Sequence, residues 1–411
     1  MPNRREFFGN LAGGAAAVAV SGLGSAGRIL GANDRIRFGI IGAGARQMED
    51  FRAALACPNV EAVAVADVYT GRFAAVQALV PKIKTYRDFR HLLDDKSIDA
   101  VLIATPQHMH ALNFVPAIQA GKDVYQEKTM AFNPAHARRM RNAFQGSGRV
   151  VQMGMQMNSA PGLQKVRELA TSERLGTRTA LQAYHFRNAA HGGWLRKIPP
   201  DCNAEHVDWP AFEGEAKSYP FDPQRYMNWR FYWDYSGGNV FENMVHQVAF
   251  WYGALGWNIP EAVTMTGGNY FSPQMQVPDT MNVVMVQPEK VIFTWSSLFG
   301  NNYYSEGYDY LFGTSGTLIH DQSDNVAYLS QRKRGAPPAA DMGGAPPIGK
   351  GAYKDFTGQH MQNFFDCVRS RKEPACPFEI GFRSAIACQM AIASYRQQRT
   401  VRWDPATEEI V

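Results

Sequence analysis

Ile36-Arg37-Phe38-Gly39-Ile40-Ile41-Gly42-Ala43-Gly44-Ala45-Arg46-Gln47 reads as a short apolar strand, a glycine turn and the start of a helix. A continuous apolar run of this length suits a strand buried on both faces of a parallel sheet. Gly42-x-Gly44 at its end permits a tight turn and lets a pyrophosphate approach backbone amides at a helix N-terminus. The third glycine of the dinucleotide fingerprint is absent, because Gln47 stands in its place. Support comes from the second predicted strand, 60–66, which ends at Asp67, where an acid would bond the adenosine ribose hydroxyls. A carboxylate there favours NAD by repelling a 2′-phosphate, while Arg72 nearby leaves NADP open. Gly42, Gly44, Ala45, Arg46 and Asp67 are thus expected cofactor contacts.

Working outward, strands are predicted at 100–104 and 123–126, with amphipathic helical segments at 89–93 and 111–120. Asn133-Pro134 then supplies an N-cap followed by proline at the first helical position. Strands alternating with helices imply a doubly wound parallel sheet, a Rossmann domain over 33–155. Beyond that the rhythm changes. A strand at 177–187 leads into a loop-rich aromatic stretch, and a helix follows at 240–255. Strands then succeed one another at 262–266, 281–287, 291–297, 309–313, 317–320 and 327–330, which indicates an open, mostly antiparallel sheet. Residues 156–411 are therefore an α+β substrate and oligomerisation domain, with a flexible loop at 335–351 and closing helices at 359–370 and 381–398.

The net charge of +5 over 411 residues comes without a basic stripe, which argues against a nucleic-acid partner. Five cysteines lack CxxC or zinc spacing and form no disulfide framework. Residues 1–32 read as a twin-arginine signal peptide: Asn3-Arg4-Arg5-Glu6-Phe7-Phe8, an Ala/Gly-rich apolar run, then small residues at Ser25-Ala26. That run is too short and too glycine-rich to span a bilayer, so no membrane span is expected in the mature protein. The expected location is the periplasm or another exported site, reached through the twin-arginine machinery. Free NAD is scarce there, so a tightly held cofactor is expected.

The third and fourth strands end in polar loops, and open parallel sheets bind ligands beyond their carboxyl ends. These loops are Thr105-Pro106-Gln107-His108-Met109-His110 and Glu127-Lys128-Thr129. Later comes Gly237-Gly238-Asn239-Val240-Phe241-Glu242-Asn243-Met244-Val245-His246. In these three motifs, and from Arg35 onward, the chain resembles the Gfo/Idh/MocA oxidoreductases. That family pairs a T-P-x-H-x-H loop with E-K-P and a later G-G-x-x-x-D-x-x-x-H element. The resemblance implies that Thr105, Pro106, His108, His110, Glu127 and Lys128 meet the nicotinamide cofactor. It also implies that Lys128 orients the reacting hydroxyl and His246 acts as general base. Thr129 replaces the family's proline and Glu242 its aspartate. On a regular helix Glu242 and His246 would share a face, so Glu242 is expected to orient the imidazole or hold a substrate hydroxyl. His185, His191, Glu242 and His246 lack compact metal-site spacing, so no metal is expected.

The stretch 226–235 is rich in aromatic and polar residues. Aromatic faces stack on sugar C–H surfaces while polar neighbours bond hydroxyls. His185, Arg187, Trp229, Arg230, Tyr232 and Asp234 are the expected carbohydrate contacts. The same cluster would also suit packing between domains or subunits. Three functions follow: a sugar, polyol or glycoside dehydrogenase; an NAD-dependent redox glycosidase working by oxidation and elimination; or a non-enzymatic sugar-binding protein. A homo-oligomer is expected by analogy with the family.

Overall fold

In the first sheet every strand pair is parallel, and the chain reaches it through β1 (Ile36–Ile41), β2 (Val60–Ala66) and β3 (Lys84–Tyr86) before crossing to β4 (Ala100–Ile103), β5 (Asp123–Gln126) and β6 (Val151–Met153). The order β3-β2-β1-β4-β5-β6 reverses direction between β1 and β4, which opens a crevice beyond their carboxyl ends. β4 and β5 are buried along their whole length, which is why β4 reads as an unbroken apolar run. This computed structural model describes residues 35–302, 308–321, 325–330 and 355–411. The signal expected at 1–32 and the loop expected at 335–351 lie outside the described residues.

The second sheet contains β7 (Arg178–Asn188), β8 (Ala262–Gly268), β9 (Thr280–Gln287), β10 (Val291–Leu298), β11 (Gly300–Asn301), β12 (Asp309–Gly313), β13 (Gly316–His320) and β14 (Val326–Ser330), closed by β15 (Val401–Asp404) and β16 (Glu409–Ile410). Its order is β14-β13-β12-β7-β10-β9-β8-β15-β16, with β11 beside β7. The β7–β10 pair is parallel and the other pairs are antiparallel. Burial alternates strictly along β9, so one face packs and the other does not. Helices Val245–Leu255 and Phe378–Gln397 contribute to the core that covers the packed face.

A single apolar cluster joins the two sheets. It runs from Val101 and Ile103 of β4 through Ile386 and Met390 to Trp251 and Trp295. The helix Thr357–Ser370 comes late in the chain yet packs on the first sheet, where Met361, Phe364 and Phe365 meet Phe38 and Phe51. The five cysteines are buried free thiols.

The segment expected as one helix over 240–255 begins differently. Val240–Met244 is a π-helical turn that runs into the α-helix Val245–Leu255, which ends at Gly256 in the left-handed region. Glu242 lies in the π turn and His246 in the first turn of the α-helix that follows it.

Candidate active site

At the end of β1 the backbone turns through Gly42 at φ +86°, where a Cβ would stand 2.9 Å from the Ala104 carbonyl oxygen. Only glycine fits that approach. The following helix, Ala45–Leu55, has no side-chain cap and no acidic residue in its first turn. Its leading N–H groups and dipole are therefore suited to an anion. Asp67, at the end of β2, accepts from the Ala43 and Tyr69 amides at 2.6 and 2.8 Å, and Arg72 lies 4.0 Å from the same carboxylate. These groups share a cleft of about 910 Å³ with Thr105, Pro106, Glu127 and Lys128. The glycine turn, uncapped helix and strand-end acid fit a dinucleotide, with Gly42–Arg46 for the pyrophosphate and Asp67 for a ribose.

At the other end of this cleft, Lys128 Nζ donates to Glu242 at 2.6 Å. Arg230 lies 3.0 Å from the other Glu242 oxygen, to which Gln107 Nε2 donates at 2.7 Å. Burial alone would raise the Glu242 carboxyl, but Arg230 and Lys128 overcome it and pull the pKa down to about 2. Glu242 is thus a permanent anion that fixes two cations, and the residues it holds are not the imidazole. The guanidinium of Arg230 also stacks on Trp229, 4.2 Å from the ring centroid. Thr129 ties the lysine loop to the π turn, its hydroxyl donating to the Phe241 carbonyl at 2.8 Å. The Lys128–Thr129 peptide bond is cis.

His246 lies within the electrostatic reach of Lys128, Glu127 and Glu242. Burial, and then the Lys128 charge, push its pKa down to about 3, so the imidazole rests in its neutral form. Glu127 lies beneath Lys128 and accepts from Arg46 at 3.0 Å, from Gln156 at 3.1 Å and from the Lys128 amide at 3.0 Å. Burial opposes its ionisation, but Arg46 and Lys128 hold its pKa below the ordinary value. Arg46 also pairs with Asp50 at 2.7 Å, so its side chain braces Glu127 while its backbone serves the turn.

His108 and His110 do not line the cleft. Each is buried against backbone carbonyls: His108 Nε2 against Phe212 at 2.7 Å, and His110 against Thr129 and Thr105 at 2.7 and 2.9 Å. They pin loops together, and His108 is pushed to about pKa 4 by burial. Trp229 and Arg230 do line it. His185 and Arg187 sit behind it on β7, 2.5 Å apart, with Arg187 also donating to Asn243 at 3.1 Å. Tyr232 and Asp234 stand apart from the cleft around Arg225, which bonds Asp234 at 3.2 Å and stacks on the Tyr232 ring. Gln107 was hidden from a reading by residue type, although it sits inside the quoted loop. It bridges Glu242 to the diglycine, accepting from the Gly237 amide at 3.2 Å.

Residues 36–155 match the family model described as an oxidoreductase family, NAD-binding Rossmann fold, and residues 211–402 match that family's C-terminal alpha/beta domain. An inositol 2-dehydrogenase of Salmonella typhimurium is 30% identical over 154 residues, 37% of this chain and 46% of the relative. A 2,7-anhydro-N-acetylneuraminate hydratase of Mediterraneibacter gnavus is 24% identical over 297 residues, 70% of this chain and 68% of the relative. The chain spans about half the length of the first of the curated relatives it matches. Levoglucosan dehydrogenase in complex with NADH and L-sorbose shares the fold, with a TM-score of 0.68 at 17% identity over 91% of this chain and 100% of that one. The two model matches together take in most of the chain, and the protein belongs to the Gfo/Idh/MocA oxidoreductases, with an NAD-binding Rossmann domain.

Proposed function

We propose that the protein is an NAD-dependent dehydrogenase acting on a sugar, polyol or glycoside, with hydride moving between a hydroxyl-bearing carbon and nicotinamide. The observation that carries this reading is the Lys128–Glu242 pair at the end of a cleft whose other end fits a pyrophosphate and a ribose. The dinucleotide, when bound, supplies the hydride acceptor or donor. Lys128, anchored by Glu242, presents its ammonium hydrogens to the substrate oxygen and fixes its orientation. His246 accepts the hydroxyl proton, or returns it in the reverse direction. The Trp229 ring offers a face for sugar C–H bonds, and Arg230 holds that ring in place. The names of relatives that act on inositol and on levoglucosan support a carbohydrate substrate.

On the same footing we propose export through the twin-arginine pathway, carried by Arg4-Arg5 and the Ala/Gly-rich run after it. A tightly held cofactor and a homo-oligomer complete the proposal. The test mixes purified protein with inositols, sugars and aryl glycosides, with and without added NAD, and follows reduced-nicotinamide absorbance and released aglycone. A rise that depends on Lys128 and His246 is expected. Aglycone release without net reduction would replace the dehydrogenase with an oxidation–elimination glycosidase. Nucleotide binding with silence in both channels would leave only a sugar-binding role.

A further inference from the structure

Residues 156–210 fall between the two family-model matches, yet part of the cleft wall comes from them. Trp194, Arg196, Pro199, Asp201 and Asp208 all line it. This segment is laced to the turn that follows Asp67. The Asp208 amide donates to the Val68 carbonyl at 2.8 Å, and the Thr70 amide donates to the His206 carbonyl at 3.1 Å. Tyr69 and Val207 form an antiparallel bridge between these two bonds. The Tyr69 hydroxyl then donates to Asp201 at 2.6 Å. Beneath these contacts Tyr69, Cys202, Val207, Trp209 and Phe212 make a small apolar cluster of their own, separate from the main core. The outer part of the segment, from Leu195 to Ile198, is exposed.

We infer that residues 194–208 are a clasp over the ribose end of the nucleotide cleft, whose work is to retain the bound dinucleotide. The inference rests on the nucleotide site proposed above, with Asp67 at the ribose. A ribose held by Asp67 is bounded by the turn 68–72, and the clasp closes over that turn from the other domain. Release then requires parting two backbone hydrogen bonds, the Thr70 hydroxyl bond to the His206 carbonyl and one charge-assisted bond from a phenol to a carboxylate, with local opening of the small cluster. The main core is left untouched. Such a device adds a barrier to dissociation without adding contacts to the reacting atoms.

The experiment loads the full protein with NADH and follows its release by fluorescence after mixing with excess NAD. Tyr69→Phe and Asp201→Asn each remove the phenol–carboxylate bond in its charged form and should speed release about tenfold. Near-UV circular dichroism reports whether each variant keeps native packing. Asp201 is exposed, so Asp201→Asn decides the question even where Tyr69→Phe unfolds. A second readout needs no variant: trypsin cleaves after Arg196 or Lys197, and bound NADH should slow that cleavage in the wild-type protein. Unchanged release in natively packed Asp201→Asn, or equal trypsin sensitivity with and without NADH, overturns the clasp while leaving the nucleotide site standing. Failure of the wild-type protein to bind NADH at all overturns both.

Discussion

The charge of Lys128 helps to set the chemistry of His246. Burial and the lysine charge keep the imidazole neutral, near pKa 3, so its proton-accepting form persists through the whole physiological range. Lys128→Met removes the positive charge that disfavours imidazolium, so the His246 pKa should rise; NMR titration of the histidine ring checks this, and an unmoved value would break the proposed coupling. His246→Ala should lower kcat by about 10²–10⁴-fold, the usual range for a lost general base, with NADH binding unchanged in a fluorescence titration. The places of Asp67, Lys128 and Glu242 in the cleft were legible because each stands at a strand end or a diglycine-led turn. The places of His108 and His110 were not. Their residue type suggested chemistry, but both are turned into carbonyl-lined interior, and no local pattern announces which way a loop side chain faces. Gln107 escaped notice for the converse reason, a neutral amide whose importance comes from the two partners it joins.

Among elements, the helix that carries His246 shows how packing sets a pH response. One turn past the π segment, Gln247 Nε2 donates to Asp309 of β12 at 2.6 Å, and Trp251 Nε1 donates to the other oxygen at 2.7 Å. Gln247 in turn accepts from Trp295 at 2.6 Å, which fixes the direction of the amide. Burial pushes the Asp309 pKa up to about 7, against the pull of both donors. The folded protein therefore binds more protons than the unfolded chain between about pH 4 and 7. Stability from this group is full below about pH 4 and declines as pH rises to 7, by a total of order 4 kcal/mol. Denaturant midpoints at pH 5 and pH 8 should show the loss, and Asp309→Asn should flatten it; an equal slope in the variant would assign the effect to other groups. The strands of this sheet were legible from alternation, as in β9. The π turn was not, since this segment is buried nearly all round and offers no single apolar stripe whose shift would mark it.

For the whole molecule, the shared core matters more than the two-domain pattern suggested by the sequence. Because Val101 and Ile103 belong to the same apolar cluster as Trp251 and Trp295, the two sheets should unfold together. Calorimetry of the protein without nucleotide is expected to show one transition, and two resolved transitions would contradict a continuous core. Phe365→Ala should cost about 3–5 kcal/mol, because its ring is fully buried and packs 5.5 Å from Phe38 across the division between domains. The switch from alternating strands and helices to consecutive strands was readable along the chain. The return of the helix Thr357–Ser370 to the first sheet was not, since its apolar stripe says only that it packs, and the partner is chosen by topology.

That return also sets a schedule for biosynthesis. Phe38 and Phe51 leave the ribosome early, but the ring of Phe365 that covers them follows roughly 300 residues later, about 15–60 s at ordinary rates of synthesis. Through that interval the nascent Rossmann sheet carries an uncovered greasy face, a ready target for holdase chaperones. Ribosomes stalled before the codons for the helix Thr357–Ser370 should therefore hold a chaperone-bound, protease-sensitive chain.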